Sequence, residues 1–314
     1  MGRLRAKTRT KFITDLQYAD DCSLISDSAE NLQEILEIYS WAYQALGLNV
    51  NVDKTKVMSC PPSTIQTNIM IEDRKVEYVD CFNYLGSVVN RTSNVDDEIR
   101  NRINAASRSF WRLRERVFDN HDLSVKTKVA VYRAVVIPTM LYGCETWTPY
   151  RRHIKSLNLI QQRHLRQIMR IKWFHKVSNK NVLERAKCSG IETLVSQARL
   201  KWVGHVYRME ENRLPKCVLY GELVRGQRKQ GGQFKRYKDV LHGTLKQAKV
   251  QNSWEMQAAD RSEWRRVCKN LNAEVQQNRR RRNVPSEKFE CPECGRVILS
   301  RIGLFSHRKT HQTS

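Results

Sequence analysis

The sequence predicts an α+β chain, mostly α, closed by a small ββα unit. Three observations carry that prediction. Short apolar runs broken by turn residues fill positions 1–90. Apolar residues at helical spacing dominate positions 91–277. Two cysteines and two histidines at metal-ligand spacing close the chain. At 314 residues the chain is long enough for two or more units.

Charge narrows the function. Lys and Arg number 56 against 32 Asp and Glu, a formal net charge of +24. Such an excess favours a polyanionic partner, above all nucleic acid, because each neutralised phosphate releases a counterion. No apolar run is long enough to span a bilayer, and "MGRLRAKTRTKF" lacks the apolar core of a secretory signal. Position six is Ala6, against an N-myristoylation motif. The cysteines number nine; seven are scattered (Cys22, Cys60, Cys81, Cys144, Cys188, Cys217, Cys268). The expectation is a nuclear or cytoplasmic protein, not secreted, with mostly structural thiols and no membrane partner.

Within 1–90, "KFITDLQ" and "CSLIS" flank "YADD" and predict a hairpin with the acids at its turn. "DSAENLQEILEIYSWAYQALG" predicts a helix capped by Asp27 with Glu30 as box partner. Its face is Leu32, Ile35, Leu36, Tyr39, Tyr43 and Leu46, and Gly47 ends it. "LNVNV" and "KVMSC" are strand candidates, and "IMIEDRKVEYV" predicts a second hairpin turning near Asp73.

Residues 91–148 predict helices. Ile99, Ile103, Ala106, Phe110 and Leu113 recur at helical spacing, with Arg100, Arg102, Arg108, Arg112, Arg114 and Arg116 mostly on other faces. Those arginines form either a solvated basic face or a surface lying along a phosphate backbone. A second helix starts near Ser124 and should kink or end at Pro138. Residues 149–277 are again helical and basic. Trp173, Trp202, Trp254 and Trp264 are expected in the core, with base stacking as the alternative. "VRGQRKQGGQFKR" reads as a flexible basic loop. Residues 278–288, with Arg279, Arg280, Arg281 and Arg282 in a row, read as a basic linker or nuclear-import signal.

Residues 289–314 carry the most specific pattern. Cys291 and Cys294 are two residues apart; twelve residues lead to His307 and three more to His311. Two thiolates from a knuckle and two imidazoles one helical turn apart can share one tetrahedral zinc. Phe289, Ile298 and Leu304 supply a minimal core, and the metal must supply the remaining stability. With His307 at helix position seven, the base-reading positions are Ser300, Gly303 and Ser306, none able to make a bidentate base contact. Arg296, Arg301, Arg308 and Lys309 can bind phosphates. The expectation is one zinc ion and a finger of little sequence specificity, with a protein partner docking on the finger as the alternative.

"YADD", then a helix, then "GLNVNVDKTKVM", then "FNYLGS" resembles the last three palm motifs of reverse transcriptases of non-LTR (LINE-like) retrotransposons, in order and spacing. "LYGCETWT", "ARLKWVGHVYRM" and "CPECGRVILSRIGLFSH" resemble the C-terminal half of such endonuclease–reverse transcriptase polyproteins, so the resemblance covers nearly the whole chain. It implies a partial palm over 1–90, a thumb over 91–148, a basic helical region over 149–277, a linker and a zinc finger. It implies RNA-directed DNA polymerase chemistry, in which two magnesium ions bracket the reacting oxygens. Asp20 would be the main ligand with Asp21 beside it, Tyr18 would flank the primer end, and Lys54 would neutralise the leaving pyrophosphate. Phe82, Tyr84, Leu85 and Gly86 would form the primer-grip hairpin, and Arg100, Arg108 and Arg112 of the thumb would grip the duplex.

The resemblance also demands a metal-binding aspartate from an earlier palm strand. Asp15 is the sole candidate among the 17 residues before Tyr18. On the same strand as Asp20 it would sit roughly 16 Å away, too far to share a metal. Fingers, an endonuclease and a restriction-type acid cluster are likewise not evident. The expectation is a truncated, retrotransposon-derived protein that binds nucleic acid, RNA or DNA, and zinc without polymerising alone. The alternatives are a piece of an active polymerase, and a recruited zinc-finger binding protein. A partial palm should leave a sheet edge unpaired, favouring poor solubility or a partner.

Overall fold

The computed structural model describes residues 13–60, 67–221, 235–250, 254–282, 289–298 and 301–312, with side chains described except at 272–282, 298, 301, 302, 309, 310 and 312. Helices dominate, and the chain forms two compact units, one of residues 1–195 and 209–240, the other of 196–208 and 241–314. The basic loop around residues 222–234, most of the linker, and Ser300 lie outside the described residues.

The first unit opens with hairpin β1 (Asp15–Tyr18) and β2 (Asp21–Leu24), registered with Tyr18 opposite Asp21 and Asp15 opposite Leu24. Helix α1 (Ala29–Ala45) follows. Ser28, not Asp27, is its N-cap: the hydroxyl accepts from the Asn31 N–H at 3.1 Å, while Asp27 accepts from the Asn31 side-chain amide at 3.4 Å. At the other end Gly47 (φ +75) closes a Schellman turn, its N–H donating to Gln44 O at 2.9 Å and that of Leu48 to Tyr43 O at 2.8 Å. Leu46, expected to end the apolar face, is the C-cap within that turn and is exposed.

Next come β3 (Lys56–Val57), β4 (Met70–Ile71), β5 (Arg74–Lys75) and β6 (Glu77–Tyr78). β4 and β5 form the hairpin expected near Asp73, and β3 pairs parallel with β6. "LNVNV" forms no strand; Val50 and Val52 instead pack as loop residues on the cluster of Leu36, Val57, Ile69, Ile71 and Val76. Gln33 fixes α1 to this cluster, accepting from Met70 N–H at 2.8 Å and donating to Met70 O at 3.0 Å.

Hairpin β7 (Cys81–Tyr84) and β8 (Ser87–Asn90) turns at Leu85 and Gly86, both at positive φ (+47 and +78). That backbone matches a type I′ turn, whose twist suits the flanking strands. All sheets among the described residues are two-stranded, so every described strand is an edge strand.

Helix α2 (Asp96–Leu113) buries Ile99, Ala106 and Phe110, as their spacing predicts. Arg102 departs from the expected outer face. It is buried, bonded to Glu98 at 2.6 Å, and reaches the Gly86 carbonyl, while Glu98 accepts from the Val88 N–H at 2.6 Å. The pair thus pins the β7–β8 hairpin to α2.

α3 (Val125–Val131) starts at the Ser124 cap; α4 (Ile137–Met140) carries Pro138. A π-helical turn, Tyr132–Val136, lies between them. The helical run therefore passes Pro138 rather than ending at it. The wider turn upstream is the geometry that eases a proline ring against the preceding carbonyls, and the helix ends two residues later. α5 (Arg151–Ile168) then packs on α2. Phe110 stacks on Phe118 (4.5 Å) and on His164 (4.1 Å), with Tyr132 edge-on.

α6 (Asn179–Arg185), α7 (Ile191–Tyr207), α8 (Leu214–Tyr220), α9 (Tyr237–Gln247), α10 (Trp254–Ala259) and α11 (Arg261–Arg282) complete the helical region. Of the four tryptophans expected in the core, Trp264 is buried, Trp202 and Trp254 are half-buried, and Trp173 is 88% exposed. Trp173 lies on a single 3-10 turn after α5, with no helix face to bury it. The chain closes with β9 (Phe289–Glu290), β10 (Val297–Ile298) and α12 (Arg301–Gln312), a ββα unit.

Candidate functional site

Two sets of metal-seeking side chains were expected, and the structure treats them differently. The β9–β10 reversal places Cys291 and Cys294, with Gly295 at φ +69, a backbone conformation that side-chain-bearing residues rarely adopt. The Cys291 N–H donates to Arg296 O at 2.9 Å and the Gly295 N–H to Cys291 O at 2.8 Å. His307 and His311 come from one face of α12. Their Nε2 atoms are 3.1 Å apart; Cys294 Sγ lies 3.1 Å from His307 Nε2 and Cys291 Sγ 3.7 Å from His311 Nε2. All four donor atoms lie within 4.8 Å of one another.

A tetrahedral zinc with N bonds of about 2.0–2.1 Å and S bonds of about 2.3 Å spaces its donors about 3.3–3.8 Å apart. The observed separations, from 3.1 Å to at most 4.8 Å, bracket that spacing, so the four side chains could hold such an ion. Burial pushes the Cys291 thiol up, but the N–H groups of Glu293 and Cys294 outweigh it and hold the thiol below its usual range, which favours the ligating thiolate. Phe289 and Leu304 are half-buried, while the Ile298 side chain is outside the described residues.

The acids of "YADD" form a different kind of site. Ala19 (φ +52) and Asp20 make the turn, and Asp21 is the first residue of β2. Asp20 therefore lies in the turn and not on the strand of Asp15, contrary to expectation. Asp15 sits at the far end of β1 from the turn, its carboxylate accepting from Thr14 and Gln17. Asp20 and Asp21 are exposed. Among the described residues the Cys–His set is the one group of three or more His, Cys, Asp or Glu side chains placed to hold a metal. Two neighbouring carboxylates alone do not fit the donor set of a two-magnesium centre.

Around this turn, Tyr18 is exposed, and the Tyr84 hydroxyl donates to Leu16 O at 3.5 Å, linking the two hairpins. Phe82 lies edge-on to Tyr84. Tyr142, from the "LYGCETWT" stretch, donates to Leu85 O at 3.2 Å and lies under the Arg102 guanidinium, 4.6 Å from its ring centre. The Leu85–Gly86 turn is thus gripped from α2 and from the segment after α4. Lys54 lies in the turn before β3, its N–H held by Asn51 at 3.1 Å, and no bond joins it to Asp20 or Asp21.

Arg100, Arg108 and Arg112 are exposed on α2, Arg100 within 3.3 Å of Asp97. Arg308 is exposed, 3.9 Å from Glu293, and the Arg301 side chain is outside the described residues. Sequence reasoning missed one further grouping. Lys201, His205, Arg208, Arg261, Arg265 and Lys269 line a single cleft of the second unit. Basic residues at i and i+4 in "ARLKWVGHVYRM" and "DRSEWRRVCKN" signalled each stripe, but not their meeting.

Comparison with known proteins supplies the descent. A putative uncharacterized transposon-derived protein of Caenorhabditis elegans is 24% identical over 278 residues, 82% of this chain and 95% of the worm protein. The RNA-directed DNA polymerase from mobile element jockey of Drosophila melanogaster is 22% identical over 171 residues, half of this chain. The probable RNA-directed DNA polymerase from transposon X-element of the same fly is 29% identical over 160 residues, 47% of this chain. The homologues of this chain are a transposon-derived protein and RNA-directed DNA polymerases of mobile elements. It spans 18% of the jockey polymerase and 16% of the X-element polymerase, against nearly all of the worm protein. No protein-family model matches the chain, and no solved structure does. No described helix is long and apolar enough to cross a membrane.

Proposed function

We propose that this retrotransposon-derived protein binds nucleic acid and one zinc ion and does not polymerise by itself. One contrast carries the reading. The Cys291, Cys294, His307 and His311 donors lie within 4.8 Å of one another, whereas Asp20 and Asp21 stand exposed with no third ligand among the described residues. Asp20 and Asp21 are then a catalytic half-site, with Tyr18 and Lys54 beside the primer and pyrophosphate positions of a complete palm. Tyr84 and Gly86 belong to a hairpin shaped to hold a primer strand. Arg100, Arg108 and Arg112, with Arg301 and Arg308 of the finger, contribute phosphate contacts. Zinc supplies folding energy to the finger and takes no part in a chemical step.

Primer extension on an RNA template with magnesium tests this. The full chain is expected to give no product. Magnesium-dependent synthesis that disappears in Asp20→Asn would overturn the reading. The small share of the fly polymerases that the chain spans favours a second reading, in which the same acids work within a longer polymerase. Asp20-dependent extension only when polymerase segments preceding the "YADD" turn are supplied would select it.

A further inference from the structure

We infer that the cleft between α7 and α11 in the second unit is a binding site for the phosphate backbone of a polynucleotide. This rests on the nucleic-acid-binding reading and gives it a location that neither the "YADD" hairpin nor the finger provides.

The cleft lies beside the point where the two helices pack closest. Trp264 of α11 is buried against Gly204 of α7; a Cβ on Gly204 would lie 2.1 Å from its Nε1. The Trp264 indole N–H donates to Leu200 O at 2.7 Å, and the Gln197 amide donates to Cys268 O at 3.0 Å, so the two helices are locked in register. Beside this seam each helix carries a stripe at helical spacing. Gln197, Lys201, His205 and Arg208 line one wall; Arg261, Arg265, Cys268 and Lys269 line the other, with Trp264 as the floor. The cleft holds about 570 Å³ and opens to solvent, so a chain of phosphates can reach both walls.

Charge is the decisive observation. Five Lys or Arg side chains line the cleft and no carboxylate does. None of the five makes an ion pair among the described residues. Elsewhere arginines find acids: Arg102 with Glu98, Arg114 with Asp119, Arg152 with Asp96. Arg208 is the extreme case. Its guanidinium donates to Ala258 O, its Nε is buried without a partner, and Arg261 and Arg265 face it. Cations held opposite one another on two locked helices repel, and a chain that keeps them so gains only when an anion lies between them. Successive phosphates of one strand suit a site whose donors come in rows on both walls.

The test is oligonucleotide binding by the full chain, read by fluorescence anisotropy of a labelled 20-mer against salt concentration. Arg261→Gln/Arg265→Gln/Lys269→Gln is compared with Lys155→Gln/Lys176→Gln/Lys187→Gln, which removes the same charge from exposed positions of the first unit. The cleft variant should lose at least tenfold more affinity than the control at 0.15 M salt, and its log–log salt slope should flatten by about 2. Its thermal midpoint without ligand should stay level or rise, because repulsion is relieved; a merely structural role would lower it. Lys201→Gln, on the opposite wall, should show the same direction to a smaller extent. Binding by the wild type with equal losses in cleft and control variants overturns the cleft and leaves the nucleic-acid reading standing. No binding by the wild type overturns both. Cleft-dependent stabilisation by inositol hexakisphosphate without oligonucleotide binding gives the cleft to a small polyphosphate and overturns the polynucleotide.

Discussion

His164 shows what one residue can do to the stability of a helical core. Its ring stacks 4.1 Å from Phe110 and lies edge-on to Tyr132 at 5.7 Å, and burial holds its pKa down to about 4. In the unfolded chain a histidine titrates near 6.5, so between those values the unfolded state binds more protons. Stability is then complete above about pH 6.5 and falls as the pH drops towards 4, by about 3 kcal/mol. His164→Phe keeps the stack and removes the proton. Melting temperatures from pH 7 to pH 4 should show a shallower decline than wild type; parallel curves would refute the assignment. At Gly204 the constraint is steric. Gly204→Ala forces a methyl into the Trp264 indole, and a urea titration should show a loss of about 1–3 kcal/mol. Neither residue declared itself in the sequence. A histidine in "QQRHLRQ" and a glycine in "KWVGHVY" carry no mark of the aromatic ring that tertiary packing sets against each.

Individual elements were far more legible. The apolar spacing of α2, the Gly47 stop and the Asp73 hairpin follow from local rules; the hairpin turning at Leu85–Gly86 was implied only by the motif resemblance. Where reading and structure part, the competing force can be named. Asp27 and Ser28 are both competent caps, and the helix register chose the serine. "LNVNV" alternates like a strand, yet no neighbouring strand takes up its backbone. The finger is the strongest case for local determination, since four ligands and a glycine specify it within two dozen residues. On the zinc-binding proposal, its stability comes from metal. Chelation should melt α12 and abolish dispersed amide signals from residues 289–312, while near-ultraviolet signals from the Trp264 core stay unchanged. Cys294→Ser should match the chelated state, and a finger that stays folded without metal would contradict the tetrahedral assignment.

For the whole molecule the governing fact is the charge of +24. Binding to an oligonucleotide should weaken steeply with salt, by at least tenfold between 50 and 200 mM if three or more phosphates are neutralised. A salt-independent affinity would point away from backbone contacts. The sequence by itself determined the chain's excess charge, its helical periodicities, the Cys–His tetrad and the ordered motifs that announce its mobile-element relatives, because each is written in residues close together along the chain. Only the tertiary structure decided which arginines are buried partners, as Arg102 is, and which stand free. It alone decided that two basic stripes some sixty residues apart face one cleft, and that Asp20 and Asp21 stand without a third ligand among the described residues. Those outcomes depend on which distant segments meet, and a local pattern of residue types does not encode the meeting.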